Sequence, residues 1–111
     1  MKNDYCEHIA DMLSNWGDIT YRPMFSGFGL YRNGQIFALT CDDSLYLKAD
    51  KQSQKLFEAE GCEQFTYEAK NKTAKMSYWS APEAFFDSPD HARHWAETAY
   101  QAGIRSKKPK Q

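Results

Sequence analysis

The sequence has no long apolar run, no excess of either charge and only three cysteines, and each shortage removes a class of function. Apolar residues make up 41% of the chain but lie in short patches, far below the roughly 20 in a row that a membrane-spanning helix needs. Fourteen Lys and Arg against fifteen Asp and Glu leave a net charge of −1. A protein that grips duplex DNA unaided draws most of its affinity from a basic face, so direct DNA binding is not expected. The one basic cluster, Arg105, Lys107, Lys108 and Lys110, reads as a solvated tail. Cys6, Cys41 and Cys62 are odd in number and widely spaced, which fits neither a zinc site nor a disulfide framework. With a polar N-terminus, this points to the reducing cytosol.

Catalytic signals are scarce as well. The segment Met24-Phe25-Ser26-Gly27-Phe28-Gly29-Leu30 lacks the Lys-Ser/Thr of a phosphate-binding loop and leads into a strand, so no helix N-terminus is aimed at an anion. Its glycines read as a bulge or sharp bend. Asp42 and Asp43 are paired carboxylates, but they sit in a turn, where Asp is expected for backbone reasons. His91 and His94 share a helix face; a metal there would need a further ligand from His8, Asp87 or Asp90. No nucleophile has a base in a recognisable frame. The expectation is a non-enzyme with no catalytic, cofactor or metal residues.

What the chain does have is rings: seven Phe, seven Tyr and three Trp in 111 residues. Large rings bury much area per residue, so one small domain can build a core without cross-links. Seventeen exceed what one such core needs, which leaves some for an outer sheet face.

Asn3 or Asp4 can cap a first helix carrying Tyr5, Ile9, Met12, Leu13 and Trp16 at helical spacing, with Gly17 as its stop. From Ile19 to Ala49 the pattern turns to short β runs. Asn33-Gly34 predicts a tight hairpin and Asp42-Asp43-Ser44 a second turn, so neighbouring strands are antiparallel. Asp50 should cap a short helix over Lys51–Glu60 anchored by Leu56 and Phe57. Strands follow at Gln64–Glu68 and Thr73–Trp79. A helical turn is expected at Ala84–Phe86, and Ser88-Pro89 starts a last helix with a stripe of Ala92, Trp95, Ala96, Ala99 and Ala102. After Gly103 the tail begins. The fold expected is α+β in two layers: an antiparallel curled sheet of five to six strands with helices on one face, in the order α-β-β-β-α-β-β-α. Residues 1–104 form the domain and 105–111 a basic tail.

The run Arg22-Pro23-Met24-Phe25-Ser26-Gly27-Phe28-Gly29-Leu30-Tyr31, then Phe37-Ala38-Leu39 and Leu45-Tyr46-Leu47-Lys48-Ala49-Asp50, resembles the N-terminal domain of the TfoX (Sxy) family of bacterial competence regulators. Met76-Ser77-Tyr78-Trp79 with Pro82, Asp87 and Trp95-Ala96 is similar to that domain's closing strand and helix. Ser26 stands where the family usually has the first Gly of Met-Phe-Gly-Gly. The resemblance implies a secretion-chaperone-like fold, a stand-alone member without the family's second, helical domain, and a role in turning on DNA-uptake genes with the cyclic-AMP receptor protein. The residues expected to form an interaction or structural motif are Arg22, Met24, Phe25, Gly27, Phe28, Gly29, Tyr31, Tyr46, Tyr78 and Trp79.

Two functions follow. One is a regulatory protein-interaction module acting on transcription through a partner protein such as a transcription factor, since Tyr and Trp anchors meet a protein surface without many cations. The alternative is a small-ligand sensor with a pocket between sheet and helices lined by Phe25, Phe28, Tyr46 and Tyr78. Homodimerisation through the sheet face or an edge strand is compatible with either.

Overall fold

A computed structural model describes residues 3–24, 27–69 and 72–107. Met1, Lys2, Phe25, Ser26, Lys70, Asn71 and the last four residues lie outside them. The elements are α1 (Asp4–Met12), β1 (Ile19–Met24), β2 (Gly27–Arg32), β3 (Gln35–Cys41), β4 (Ser44–Lys48), α2 (Lys51–Ala59), β5 (Gln64–Ala69), β6 (Lys72–Ser80), a 3-10 turn (Glu83–Phe86) and α3 (Pro89–Lys107). The strands form one antiparallel sheet in the order β1-β2-β3-β4-β6-β5. The α+β architecture and the strand number are as expected, with four strands before α2.

The turns form where backbone chemistry demands them. Asn33 and Gly34 have φ of 52° and 78°, and Asp42 and Asp43 have φ of 52° and 57°, the left-handed pairs that a two-residue hairpin needs. Asn3 caps α1 by accepting from the Cys6 N–H at 2.9 Å. Asp50 and Ser53 exchange capping-box bonds of 3.0 Å at the start of α2. The Ser88 hydroxyl accepts from the His91 N–H at 3.2 Å at the start of α3.

The three helices cover one face of the sheet. Pairing puts Phe28 opposite Thr40 and Leu30 opposite Ala38, then Thr40 opposite Leu45, Ala38 opposite Leu47, and Leu47 opposite Trp79. Cys6 of α1 approaches Thr40 at 3.8 Å, which fixes this as the helix side. The pairing slips between Leu30 and Tyr31, because Leu30 faces Ala38 while Tyr31 faces Ile36. Phe37 is the extra residue of this bulge, and both Phe37 and Ala38 join the helix-side core. The irregularity described in this hairpin pair therefore lies at Phe37. At Gly27 the constraint is space: a Cβ would lie 1.7 Å from the Thr40 carbonyl oxygen.

Trp16 ties the first helix region to the last. Its ring meets Phe37 and Tyr100 edge-on at 5.1 and 5.6 Å, and its indole N–H donates to Glu97 at 2.8 Å. The Arg32 guanidinium stacks on Trp16 and Tyr100 at 4.5 and 5.0 Å. Phe57, fully buried, packs on Trp95 at 5.2 Å. Leu56, expected as a second anchor of α2, is 48% exposed.

The end of α3 corrects another expectation. The helix runs through Gly103 to Lys107, so 105–107 belong to α3. Gly103 sits inside the helix because a Cβ there would lie 2.6 Å from Gln35 Nε2 and 2.9 Å from the Ile36 carbonyl oxygen. The fully buried stripe Ala92, Ala96, Ala99 and Ala102 completes this close approach of helix to sheet. Arg105 reaches back to Asp50 with bonds of 2.6 and 3.1 Å, joining the last helix to the cap of α2.

Candidate interaction surface

Alternation along the strands sends the other set of side chains to the face that no described helix crosses. One row runs across it as Arg22, Gly29, Leu39, Tyr46 and Ser80, each the register partner of the next. A second row holds Thr20, Tyr31 and Ile36, with the Lys48–Tyr78 pair beyond the bulge. Although no described helix covers them, Leu39 is only 3% exposed and Tyr78 7%. Their neighbours on the same face bury them, so this side carries a thin apolar layer of its own.

Gly29 shapes that layer. A Cβ at Gly29 would lie 3.0 Å from Ile36 Cδ1 and 3.3 Å from both Met24 Cε and the Tyr31 ring. The missing side chain is thus a shallow trough into which its neighbours lean. Across the sheet, the Tyr46 and Phe65 rings meet at 4.7 Å. Ser80, Tyr46's partner on the intervening β6, is small enough to leave them room.

Two cations lie on the rings. Arg22 sits 4.9 Å from the Tyr31 ring centre and Lys48 5.0 Å from that of Tyr78. The ion pairs among the described residues are Arg93–Asp90 and Arg105–Asp50, so neither Arg22 nor Lys48 is neutralised by an acid there. Burial pulls the Lys48 ammonium below its ordinary pKa, against a smaller upward pull from Asp50. Burial, then the neighbouring Tyr31, pushes the Tyr78 hydroxyl up to about 12. Tyr46 is raised too, by burial first and then by Cys41, Glu63 and Asp42.

The expected motif residues divide between the faces. Arg22, Met24, Gly29, Tyr31, Tyr46 and Tyr78 gather on the uncovered side. Phe28 packs against the helix-side core and Trp79 is part of it, while Gly27 serves the backbone contact with Thr40. Phe25 lies outside the described residues. Phe28 and the Tyr46–Tyr78 pair therefore face opposite sides of the sheet and do not line a common pocket, which corrects the arrangement expected for a ligand sensor. A concavity of about 650 Å³ lies instead between α2 and α3, lined among others by Gln52, Leu56, His94, Glu97 and Gln101. His91 bonds through Nδ1 to Ser88 at 2.8 Å and the His94 ring lies against Trp95. Among the described residues no three His, Cys, Asp or Glu come together as a metal site, and no helix is long and apolar enough to cross a membrane.

Leu39, Ile36, Lys48 and Phe65 belong to the surface without having been singled out from sequence. For Lys48 the signal was available. In Leu45-Tyr46-Leu47-Lys48, strict alternation puts Tyr46 and Lys48 together on the side opposite the two leucines.

A family model described as the TfoX N-terminal domain matches residues 11–103. The chain belongs to the TfoX N-terminal domain family. Among its relatives is the DNA transformation protein TfoX1 of Aliivibrio fischeri (strain ATCC 700601 / ES114), 30% identical over 83 residues. Those residues are 75% of this chain and 40% of that protein, so this TfoX domain spans well under half of its relative's length. The matched span takes in every strand, α2 and most of α3, and with them both rows of the uncovered face.

Proposed function

We propose that this TfoX N-terminal domain is a competence-related regulatory module that works by holding a partner protein against the uncovered face of its sheet. The observation that carries this reading is the combination on that face of an apolar layer, buried Leu39 and Tyr78 beside Tyr31 and Tyr46, with no described helix over it. Tyrosines supply large contact area at little entropic cost and are favoured in interface centres. The relative's printed name, a DNA transformation protein, supports a role in DNA uptake. A partner bound to transcription, such as the cyclic-AMP receptor protein, would let a domain of net charge −1 act on promoters without gripping DNA itself. The role is regulatory rather than catalytic.

The test is genetic and biochemical together. Deleting the gene should lower natural transformation and the transcripts of DNA-uptake genes. The wild-type chain should restore both, and Tyr46→Ala should restore neither while melting as a folded protein. Unchanged transformation after deletion, or full rescue by Tyr46→Ala, would refute the reading.

A further inference from the structure

We infer that the partner segment received by the uncovered face is acidic and apolar, with carboxylates seated at Arg22 and Lys48 and side chains resting on Tyr31 and Tyr46. This rests on the proposal that the face is a docking surface and adds the chemistry of what docks. Charge complementarity points to such a segment. Both cations are held in place over rings, 4.9 Å from Tyr31 and 5.0 Å from Tyr78, and neither has a carboxylate partner among the described residues. A cation over an aromatic face is already oriented, so an incoming carboxylate orders little that is mobile. Lys48 is half-buried, forms no ion pair among the described residues and has its desolvation only partly offset by Asp50, and a seated carboxylate would offset more of it. Cover by an apolar segment would strengthen both pairs by excluding water.

The same layout disfavours a single strand of nucleic acid, the other class of ligand that binds ringed sheet faces. Two cations neutralise few phosphates. The same two cations, Arg22 and Lys48, would repel a basic segment.

The experiment is an amide NMR titration of the full chain with three probes: a soluble peptide alternating Glu and Leu, its Lys and Leu counterpart, and a short oligothymidine. The acidic peptide should shift amides of β2, β3 and β4 around Tyr31, Leu39 and Tyr46, with an affinity that falls as salt is added. The exposed Arg22→Glu should weaken that binding about tenfold, and Lys48→Met should weaken it less. Equal binding of the basic peptide on the same amides would overturn the acidic assignment and leave the docking face standing. Stronger binding of the oligothymidine would assign the face to nucleic acid. Shifts confined to the α2–α3 groove, or absent with every probe, would overturn both the assignment and the docking face. Melting curves separate loss of binding from loss of fold: Arg22 is exposed and lies over the Tyr31 ring, so its variant should melt with the wild type.

Discussion

The two faces of the sheet use the same residue types to opposite ends. Beneath the helices, Phe37, Phe57, Phe85, Leu13, Leu30 and Leu47 are fully buried, and the cation of Arg32 closes over Trp16 and Tyr100. On the other side Tyr31, Tyr46 and Tyr78 lie with Phe65, burial stops one layer deep at Leu39 and Tyr78, and the cations Arg22 and Lys48 stand on the rings. Hydroxyl-bearing rings and unneutralised cations suit a surface that is wet for part of its life. An interior needs neither. The difference teaches where the fold is made and where it is left open to contact.

Substitutions can break or sharpen that contrast. The largest effect should come from the covered side: Phe37→Ala, which empties the bulge position under Trp16, should cost about 3–5 kcal/mol in denaturant unfolding. A loss below about 1 kcal/mol would mean that the bulge residue is not a core residue. Gly27→Ala comes next. Its Cβ would fall inside the Thr40 carbonyl, so β2 must move away from β3 at a cost of about 1–3 kcal/mol; a neutral result would show that this hairpin end yields freely.

Asp50 links the two ends of the helical layer, and Asp50→Ala should cost about 1–2 kcal/mol. Arg105, and with it the capping bonds of Ser53, holds the Asp50 carboxyl well below the ordinary carboxylate range. A depressed folded pKa gives stability that is complete above about pH 4 and lost as the pH falls further. The acid limb of the wild-type stability curve should therefore be steeper than that of Asp50→Asn. Coincident limbs would argue that the Asp50–Arg105 contact adds nothing in solution.

On the uncovered side Tyr78→Phe should barely change stability at neutral pH. The folded hydroxyl is pushed up to about 12 from 10.0, so the neutral ring's contribution is whole below pH 10 and lost as the pH climbs toward 12. Removing the hydroxyl should flatten that alkaline limb in a pH series of melts. The smallest stability effect belongs to Arg22→Glu, within about 0.5 kcal/mol.

Much of the fold was legible because local chemistry dictates it. Asn33-Gly34 and Asp42-Asp43 demand positive φ, and Asn3, Asp50 and Ser88 announce helix starts. What stayed hidden depends on distant partners. Gly103 looks like a stop until Gln35 and Ile36 are placed beneath it. β4 pairs with β6 rather than with the next strand, β5, and that choice is made by side chains far apart in sequence. The site was half legible for the same reason. Glycines and rings marked the right segments, but the face that each ring occupies depends on pairing register. Phe28 and Tyr46 therefore looked like neighbours while lying on opposite sides. The bulge at Phe37 compounds this, since one extra residue changes which side chains count as outward.

The most direct measurement is a photo-crosslinking comparison in living cells, with a benzophenone side chain placed at Tyr46 in one strain and at Gln52, in the α2–α3 groove, in another. If the uncovered face is the working surface, light should join the Tyr46 probe to a transcription factor or polymerase subunit, Arg22→Glu should abolish the adduct, and the Gln52 probe should give none. Adducts from Gln52 alone, or a Tyr46 adduct indifferent to Arg22→Glu, would contradict it.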